Sequence, residues 1–370
     1  MTVEALVALS LAAPLVGAVA IAILGRNADG PDPAARTGTI KRAGATLAAS
    51  LVTFGLVLSL LGRMTSGPSA VRPVVEILDL FPGVPLVFEV EPLGLLFALV
   101  ASGLWVPTSI YAFGYMRKHP RIRSESNQTR FFVCFAGAIF AALGVAFAGN
   151  LLTLFLFYEL LTLSTYPLVT HARNDKARRA GRVYLGVLLF TSIVFFLSAI
   201  LLTAHYTGGD LAFRPGGILA GRVDGAPAFV LLGLFVFGAG KAALMPFHRW
   251  LPAAMVAPTP VSALLHAVAV VKAGVFTVLK ISVYIFGLDF LQAGQYSVWL
   301  CWVAAFSLIA GSVVALTKDN LKVRLAYSTV SQLACIVLGA ALATPMALLG
   351  GGLHLAMHAM GKITLFFRAG

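Results

Sequence analysis

Eleven times along this chain, some twenty residues pass with little but apolar side chains. About that many are needed for a helix to cross the hydrocarbon core of a bilayer. The runs fall near 3–24, 44–64, 91–116, 131–148, 150–170, 182–204, 227–245, 259–287, 296–316, 321–343 and 345–370. They predict an all-α polytopic membrane protein of about eleven transmembrane helices, because a helix satisfies its own backbone hydrogen bonds where no water can. Composition excludes the soluble alternative. The chain is 59% hydrophobic and only 11% charged, against about 45–50% and about 25% for soluble domains. The first run, Val3 to Leu24, lacks a basic segment before it and is followed by Arg26. It is expected to be a retained helix rather than a signal peptide.

Net charge is +13, which in a soluble protein would raise the question of nucleic acid. Here the cations sort by loop. After alternate spans come Arg26, Arg36, Lys41 and Arg42; then Arg117, Lys118, Arg121, Arg123 and Arg130; then Arg173, Lys176, Arg178, Arg179 and Arg182; then Arg249; then Lys318, Lys322 and Arg324. The opposite loops hold Arg63, Arg72, Arg214 and Arg222. Cytoplasmic loops carry the Lys/Arg excess. The pattern therefore predicts a multi-pass protein of the inner (plasma) membrane with its N-terminus outside the cytoplasm, and no nucleic-acid role. Residues 65–90 hold Pro68, Pro73, Pro82 and Pro85 among Val, Ile and Phe and read as a short strand pair lying on the bundle. Residues 205–226 are Gly-rich and read as loop.

Several charges remain inside apolar runs: Glu159, Lys241, Lys272, Lys280 and Lys362, with His266, His354 and His358. Each charge at mid-bilayer costs about 2.5–3.5 kcal/mol on insertion scales, and such residues mark ion pathways or pair with one another. Glu159, midway along its span, is read as the one acid deep in the membrane, set against a nearby lysine; a structural ion pair with Lys241 is the plainer alternative. Lys241 is flanked by Gly238, Gly240 and Pro246, which predicts an interrupted helix whose freed carbonyls face a hydrated cavity. A buried lysine there can accept and release protons. His248, just beyond, is either a proton-uptake relay or an interfacial histidine.

Pro258 and Pro260 mark the start of the helix bearing His266 and Lys272. Six residues amount to about 600° of α-helix, so these two side chains are expected to point to different sides. Lys280 is expected to snorkel to the surface. His354, His358 and Lys362 recur every four residues and form one polar stripe, a pattern suited to a proton wire. HxxxH can bind zinc, but Leu355 stands where a metalloprotease has Glu, and no acid is near. Cys134, Cys301 and Cys335 sit in apolar stretches and read as packing. There is no GxxxxGK[ST] loop, no GxGxxG after a strand and no cysteine set for an iron–sulfur cluster. No cofactor and no metal site are expected, and the chain alone offers neither redox chemistry nor ATP hydrolysis.

Four stretches carry a resemblance: YELLTL around Glu159, GKAALMPFHRWLPAAMVAPTPVSALLHAVAVVKAG, TKDNLKVRLAYSTVSQL and HAMGKITLFF. They resemble the antiporter-like membrane subunits of respiratory complex I, of multisubunit Na⁺/H⁺ antiporters and of membrane-bound hydrogenases. The match runs from about residue 90 onward. It implies a domain of two N-terminal helices and an external loop over 1–90, and a proton-conducting domain over 91–370. Within the latter, a first inverted repeat covers about 131–287 and a partial second one about 296–370. Glu159 matches the glutamate of helix five, Lys241 the lysine of broken helix seven and Lys272 the linking lysine of helix eight. His358 and Lys362 fall in the helix-eleven motif. The implied mechanism has Glu159 modulating the proton affinity of Lys241, with the proton passing by water and Lys272 towards the histidines. Ala253 and Val256 stand where many complex I members have acids, which is closer to the hydrogenase and cation-antiporter branch. Family members continue beyond the eleventh helix, so the second broken helix is expected to be missing from a fragment or a truncated form.

The leading expectation is a proton-translocating, non-redox membrane subunit of a redox-driven complex of the NADH–quinone oxidoreductase or hydrogenase type, partnered by soluble redox subunits. The alternatives are a subunit of a Na⁺(K⁺)/H⁺ antiporter and a truncated structural membrane subunit. All three imply other membrane subunits as partners and a bilayer as solvent.

Overall fold

The computed structural model describes residues 2–26, 33–66, 73–81, 84–118 and 128–370. Of the residues used above, Pro68, Arg72, Pro82, Arg121 and Arg123 lie outside the described residues.

The elements in chain order are α1 (Val3–Leu24), α2 (Pro33–Ser66), strands β1 (Val74–Phe81) and β2 (Val84–Glu89), α3 (Pro92–Lys118), α4 (Gln128–Phe147) and α5 (Leu151–Val169). They continue with α6 (Asp175–Thr207), α7 (Ala226–Gly238), α8 (Thr259–Phe286), α9 (Val298–Leu316), α10 (Leu321–Ala341) and α11 (Pro345–Ala369). Among the described residues nine helices are long and apolar enough to cross a membrane. The other two expected spans are α7, apolar but only 13 residues long, and α11, 25 residues long but carrying the His/His/Lys stripe. The protein is therefore an all-α, multi-pass membrane protein. Two boundaries differ from expectation. Helix α2 starts well before residue 44 and takes in Arg42, which is buried and donates to Gln128 and Thr129 at 2.7 and 3.2 Å. Helix α7 stops at Gly238 rather than near 245.

Helix starts are fixed locally. Asn150, Asn174, Asn320 and Thr344 each accept from the backbone N–H three residues on, satisfying donors that the first turn leaves free. Helix α8 is the axle: its apolar window is wholly enclosed by protein. Two π-helical turns, Leu264–Val268 and Ser282–Phe286, interrupt it.

The described connections after α2, α4 and α6 meet the end of α8 in a cap at one end. Strands β1 and β2 pair antiparallel, with two irregularities in register. The extended link 148–150 joins this hairpin: Gly149 N–H donates to the Val87 carbonyl (2.8 Å) and the Asn150 amide to the Pro85 carbonyl (2.7 Å). Phe213 N–H, from the loop after α6, donates to the Gly149 carbonyl (3.2 Å), and Ile218 N–H to the Ile285 carbonyl (2.9 Å). The strand pair expected over 65–90 is thus present from Val74 and woven into a lid. The described connections after α5, α7 and α9, which hold Arg173, Arg249 and Lys318, lie at the other end.

Candidate functional site

The break in the seventh span is built from small residues meeting a bulge. Helix α7 ends at Gly238, a single 3-10 turn covers Gly240–Ala242, and no regular helix resumes until Trp250. Opposite it, α6 swells into a π-helical turn at Thr191–Phe196. A side chain at Gly238 would collide with the Phe196 backbone, and one at Gly240 with Thr191. Glycine is what lets the two irregular segments touch. The backbone groups released by the break are met: Lys241 N–H donates to the Tyr158 hydroxyl (3.0 Å), Met245 N–H to Ser307 Oγ (3.2 Å) and Trp250 Nε1 to the Gly240 carbonyl (3.0 Å).

The Lys241 side chain is 0% exposed. Its ammonium donates to the Tyr158 carbonyl (2.7 Å) and lies 3.2 Å from the centre of the Tyr158 ring, a cation–π contact. It does not close an ion pair with Glu159. Both Glu159 carboxylate oxygens are buried and without a hydrogen-bond partner among the described residues, and Glu159 is the residue next to Tyr158, on whose carbonyl Lys241 rests.

The second cluster surrounds Lys272. Lys272 Nζ donates at 3.1 Å to the carbonyl of His266, which sits in the first π-turn of α8, while meeting His358 Nδ1 at 2.7 Å. The expectation that His266 and Lys272 diverge is corrected here. The π-turn breaks the 100° increment on which it rested, and both residues face α11, His266 through its ring contact with Phe366 (4.8 Å). The α11 stripe forms as expected. His354 and His358 stack with centroids 6.0 Å apart and planes 1° from parallel. One turn on, Lys362 Nζ donates to the Leu325 carbonyl (3.1 Å) and Ser328 Oγ (3.0 Å) of α10. His248 is half-buried beyond the break, its ring 6.0 Å from that of Tyr327. Glu159, Lys241 and Tyr158 thus form one group, and Lys272, His266, His354, His358 and Lys362 another. They are joined through α8, whose Gly274 abuts the Lys241–Ala242 peptide.

The model of the family "NADH:quinone oxidoreductase/Mrp antiporter, TM" matches residues 148–370, which hold both groups. The chain belongs to that family. A putative antiporter subunit mnhA2 of Staphylococcus haemolyticus is 32% identical over 78% of this chain and 36% of its own length. One subunit of a probable K⁺/H⁺ antiporter of Rhizobium meliloti is 31% identical over 78% of this chain and 28% of its own. Among solved structures, the Mrp complex from Dietzia sp. DQ12-45-1b superposes with a TM-score of 0.79 at 27% identity, covering 99% of this chain and 37% of that one. An archaeal membrane-bound sulfane sulfur reductase reaches the same TM-score at 22% identity, covering 97% and 69%, and shares the fold. The chain spans about a third of the length of the curated relatives it matches.

Two sequence readings at family positions are overturned. Lys280 does not snorkel: it is 1% exposed and pairs with Glu91 at 2.6 Å. Glu159 is not alone as a buried acid, because Glu91 is 2% exposed. Glu91 stands between β2 and the first turn of α3, at the edge of its apolar run, where nothing in the sequence marks burial. The strand, however, folds back as part of the lid and encloses it. Tyr158, Ser328 and Lys322, which donates to the Ala257 carbonyl (3.0 Å), also escaped the sequence. Tyr158 had one available signal, its position beside Glu159.

Proposed function

We propose that this chain is a proton-conducting membrane subunit of a multisubunit cation/proton antiporter in the plasma membrane, working with other membrane subunits and with its N-terminus outside the cytoplasm. One observation carries the reading: Lys241, His266, Lys272, His358 and Lys362, all buried, lie on or against one fully enclosed helix that a π-turn interrupts at His266. Such groups mark ion and proton pathways. The names of the curated relatives above, all antiporter subunits, support exchange over redox drive. The redox-driven alternative is supported by the family's name, which joins NADH:quinone oxidoreductase to the Mrp antiporter, and by the fold shared with the sulfane sulfur reductase at 22% identity.

The proton would enter from the arginine-rich end near His248 and reach Lys241. Glu159, buried beside it, would tune when Lys241 holds it. Water would carry it to Lys272, and the direct 2.7 Å contact would deliver it to His358, with His354, His266 and Lys362 extending the line. Residues 131–287 would form one functional repeat and 296–370 part of the second. In an assembled complex reconstituted in vesicles, Lys241→Ala should abolish cation-driven proton movement while assembly persists. Glu159→Gln should do nearly the same and Glu159→Asp less. Full-rate exchange by Lys241→Ala and Lys241→Arg would reject the reading.

A further inference from the structure

Lys280 differs from the other buried lysines in its partners. Lys241, Lys272, Lys322 and Lys362 rest on carbonyls, a hydroxyl or an imidazole, all neutral acceptors. Lys280 Nζ sits 2.6 Å from Glu91 Oε1 and donates to the Ala148 carbonyl at 2.7 Å. The rings of Phe213 and Phe276 lie 4.5 and 5.5 Å away. The second carboxylate oxygen, Oε2, is buried and has no hydrogen-bond partner among the described residues. A carboxylate, the carbonyl just past the end of α4 and two aromatic faces are the groups that hold a desolvated monovalent cation. Here the cation is one the chain carries on its own side chain.

We propose that Glu91, the Ala148 carbonyl and Phe213 form an alkali-cation site, for Na⁺ or K⁺, in which the Lys280 ammonium competes with the transported ion. This rests on the exchange reading above and gives it a cation-binding place at the lid end of the bundle. The step balances. A cation held by the Glu91 carboxylate beside neutral Lys280 amine is released when the amine takes one proton, and the new ammonium takes the cation's place on the carboxylate. Run backwards, one proton leaves Lys280 as one cation binds, so net charge at the site is unchanged and the interior never holds an uncompensated carboxylate. The site lies beneath the woven lid. Phe213, which contributes a face, belongs to the loop hydrogen-bonded to Gly149, next to the liganding carbonyl. Other charged groups nearby are engaged elsewhere: Asp210 pairs with Arg214 at 3.0 Å, Lys272 meets His358 and Lys241 rests on Tyr158. Glu91 is thus the carboxylate that faces Lys280, and Tyr284 lies behind Phe213.

The test compares assembled complexes purified in NaCl, KCl and choline chloride at equal ionic strength. It reads the unfolding midpoint together with cation/proton exchange in vesicles. Lys280→Met frees the carboxylate, so its assembly or midpoint should depend on Na⁺ or K⁺ and its exchange should be lost. Glu91→Gln/Lys280→Met, a neutral pair, should assemble equally in all three salts and not exchange. Lys280→Arg, permanently charged, should assemble without alkali cation and not exchange. The proposal is overturned by wild-type exchange in Lys280→Met or in the double variant, or by an alkali response equal in Lys280→Met and the double variant. Failure of Lys280→Met to assemble in any alkali salt where the double variant assembles overturns it too. Lys241→Ala separates the two ideas. It should lose exchange yet leave the alkali response of a Lys280→Met background intact. Normal exchange by Lys241→Ala alone would sink the proton path and leave this site to be judged by its own variants.

Discussion

Gly274 offers a test of whether the position of Lys241, rather than its mere presence, matters. Gly274 lies on α8, two residues after Lys272, and a Cβ there would overlap the peptide joining Lys241 to Ala242. Helix α8 is enclosed on every side and cannot retreat, so the 3-10 turn must. Restoring an ordinary carbon contact of about 3.5 Å requires the turn to move by more than about 1 Å. Overpacking of this kind costs about 1–3 kcal/mol. Alanine recovers up to about 1 kcal/mol of that as a better helix former than glycine. Stability should therefore fall by no more than about 3 kcal/mol, and the complex should assemble.

Transport is the more sensitive readout, because a displacement of about 1 Å in a reacting group can cost about 100-fold in rate. Gly274→Ala should slow cation-driven proton movement in reconstituted vesicles by about 10- to 100-fold, with subunit content close to wild type. Gly186→Ala is the control: the glycine is also helical, on α6, and a Cβ there meets nothing within 4 Å. If Gly274→Ala transports at the rate of Gly186→Ala, the close seating of the Lys241 turn against α8 is not what sets the rate, and the argument fails.

Two further outcomes follow from contacts at Tyr158 and His171. Tyr158→Phe keeps the ring and carbonyl under Lys241 but leaves its buried N–H without an acceptor, a loss of about 1–3 kcal/mol. It should lower the unfolding midpoint while transport falls less than in Tyr158→Leu, which also removes the cation–π face; equal transport by the two would show that the ring is idle. His171, in the loop after α5, is held down to about 4 by burial and then by Arg130 and Arg173, against an ordinary value near 6.5. The unfolded chain takes up the proton first. The contribution of neutral His171 is therefore complete above about pH 6.5 and shrinks by about 3 kcal/mol as pH falls towards 4. His171→Phe should flatten the stability profile over that window, and an unchanged slope would assign acid sensitivity to other groups.

The legible part of this protein is the part that lipid dictates. Spans show as runs because every residue facing hydrocarbon is selected alike, and the loops show by their arginines. The break at Lys241 is legible because it needs glycine: Gly238 and Gly240 sit where Phe196 and Thr191 leave no room for a Cβ, so the requirement appears as composition. The stripe on α11 is legible for a similar reason, since a spacing of four is a property of one helix alone. What escapes is whatever depends on a second element. The π-turns of α6 and α8 contain neither glycine nor proline, so nothing local marks them, and without the second the joint approach of His266 and Lys272 to α11 cannot be inferred. Glu91 and Lys280 are far apart in sequence and each stands near a span end, where a charge costs little. Only the folding of the hairpin and the 148–150 link over them turns two ordinary surface charges into a buried pair.

The buried lysines share a device that explains how they can be charged in such a place without being fixed there. Each donates to a backbone carbonyl: Tyr158 for Lys241, His266 for Lys272, Ala148 for Lys280, Ala257 for Lys322 and Leu325 for Lys362. The Ala148 carbonyl lies just past the end of α4 and that of His266 in a π-turn, while the Leu325 carbonyl also accepts from Thr329 Oγ1 (2.8 Å). A hydrogen bond from a charged donor is worth about 1.5–3 kcal/mol, enough to offset much of the cost of placing the charge. The acceptor is neutral, however, and a neutral amine can still donate to it. Losing the proton then weakens the contact without leaving an opposite charge stranded. A carboxylate partner behaves differently, because it becomes an unpaired buried anion when the ammonium discharges. Lys272, Lys322 and Lys362 are thus built so that their protonation can change cheaply, whereas Lys241 has the buried Glu159 carboxylate beside it. Lys280, held by Glu91, is built so that its proton can leave only as another cation arrives.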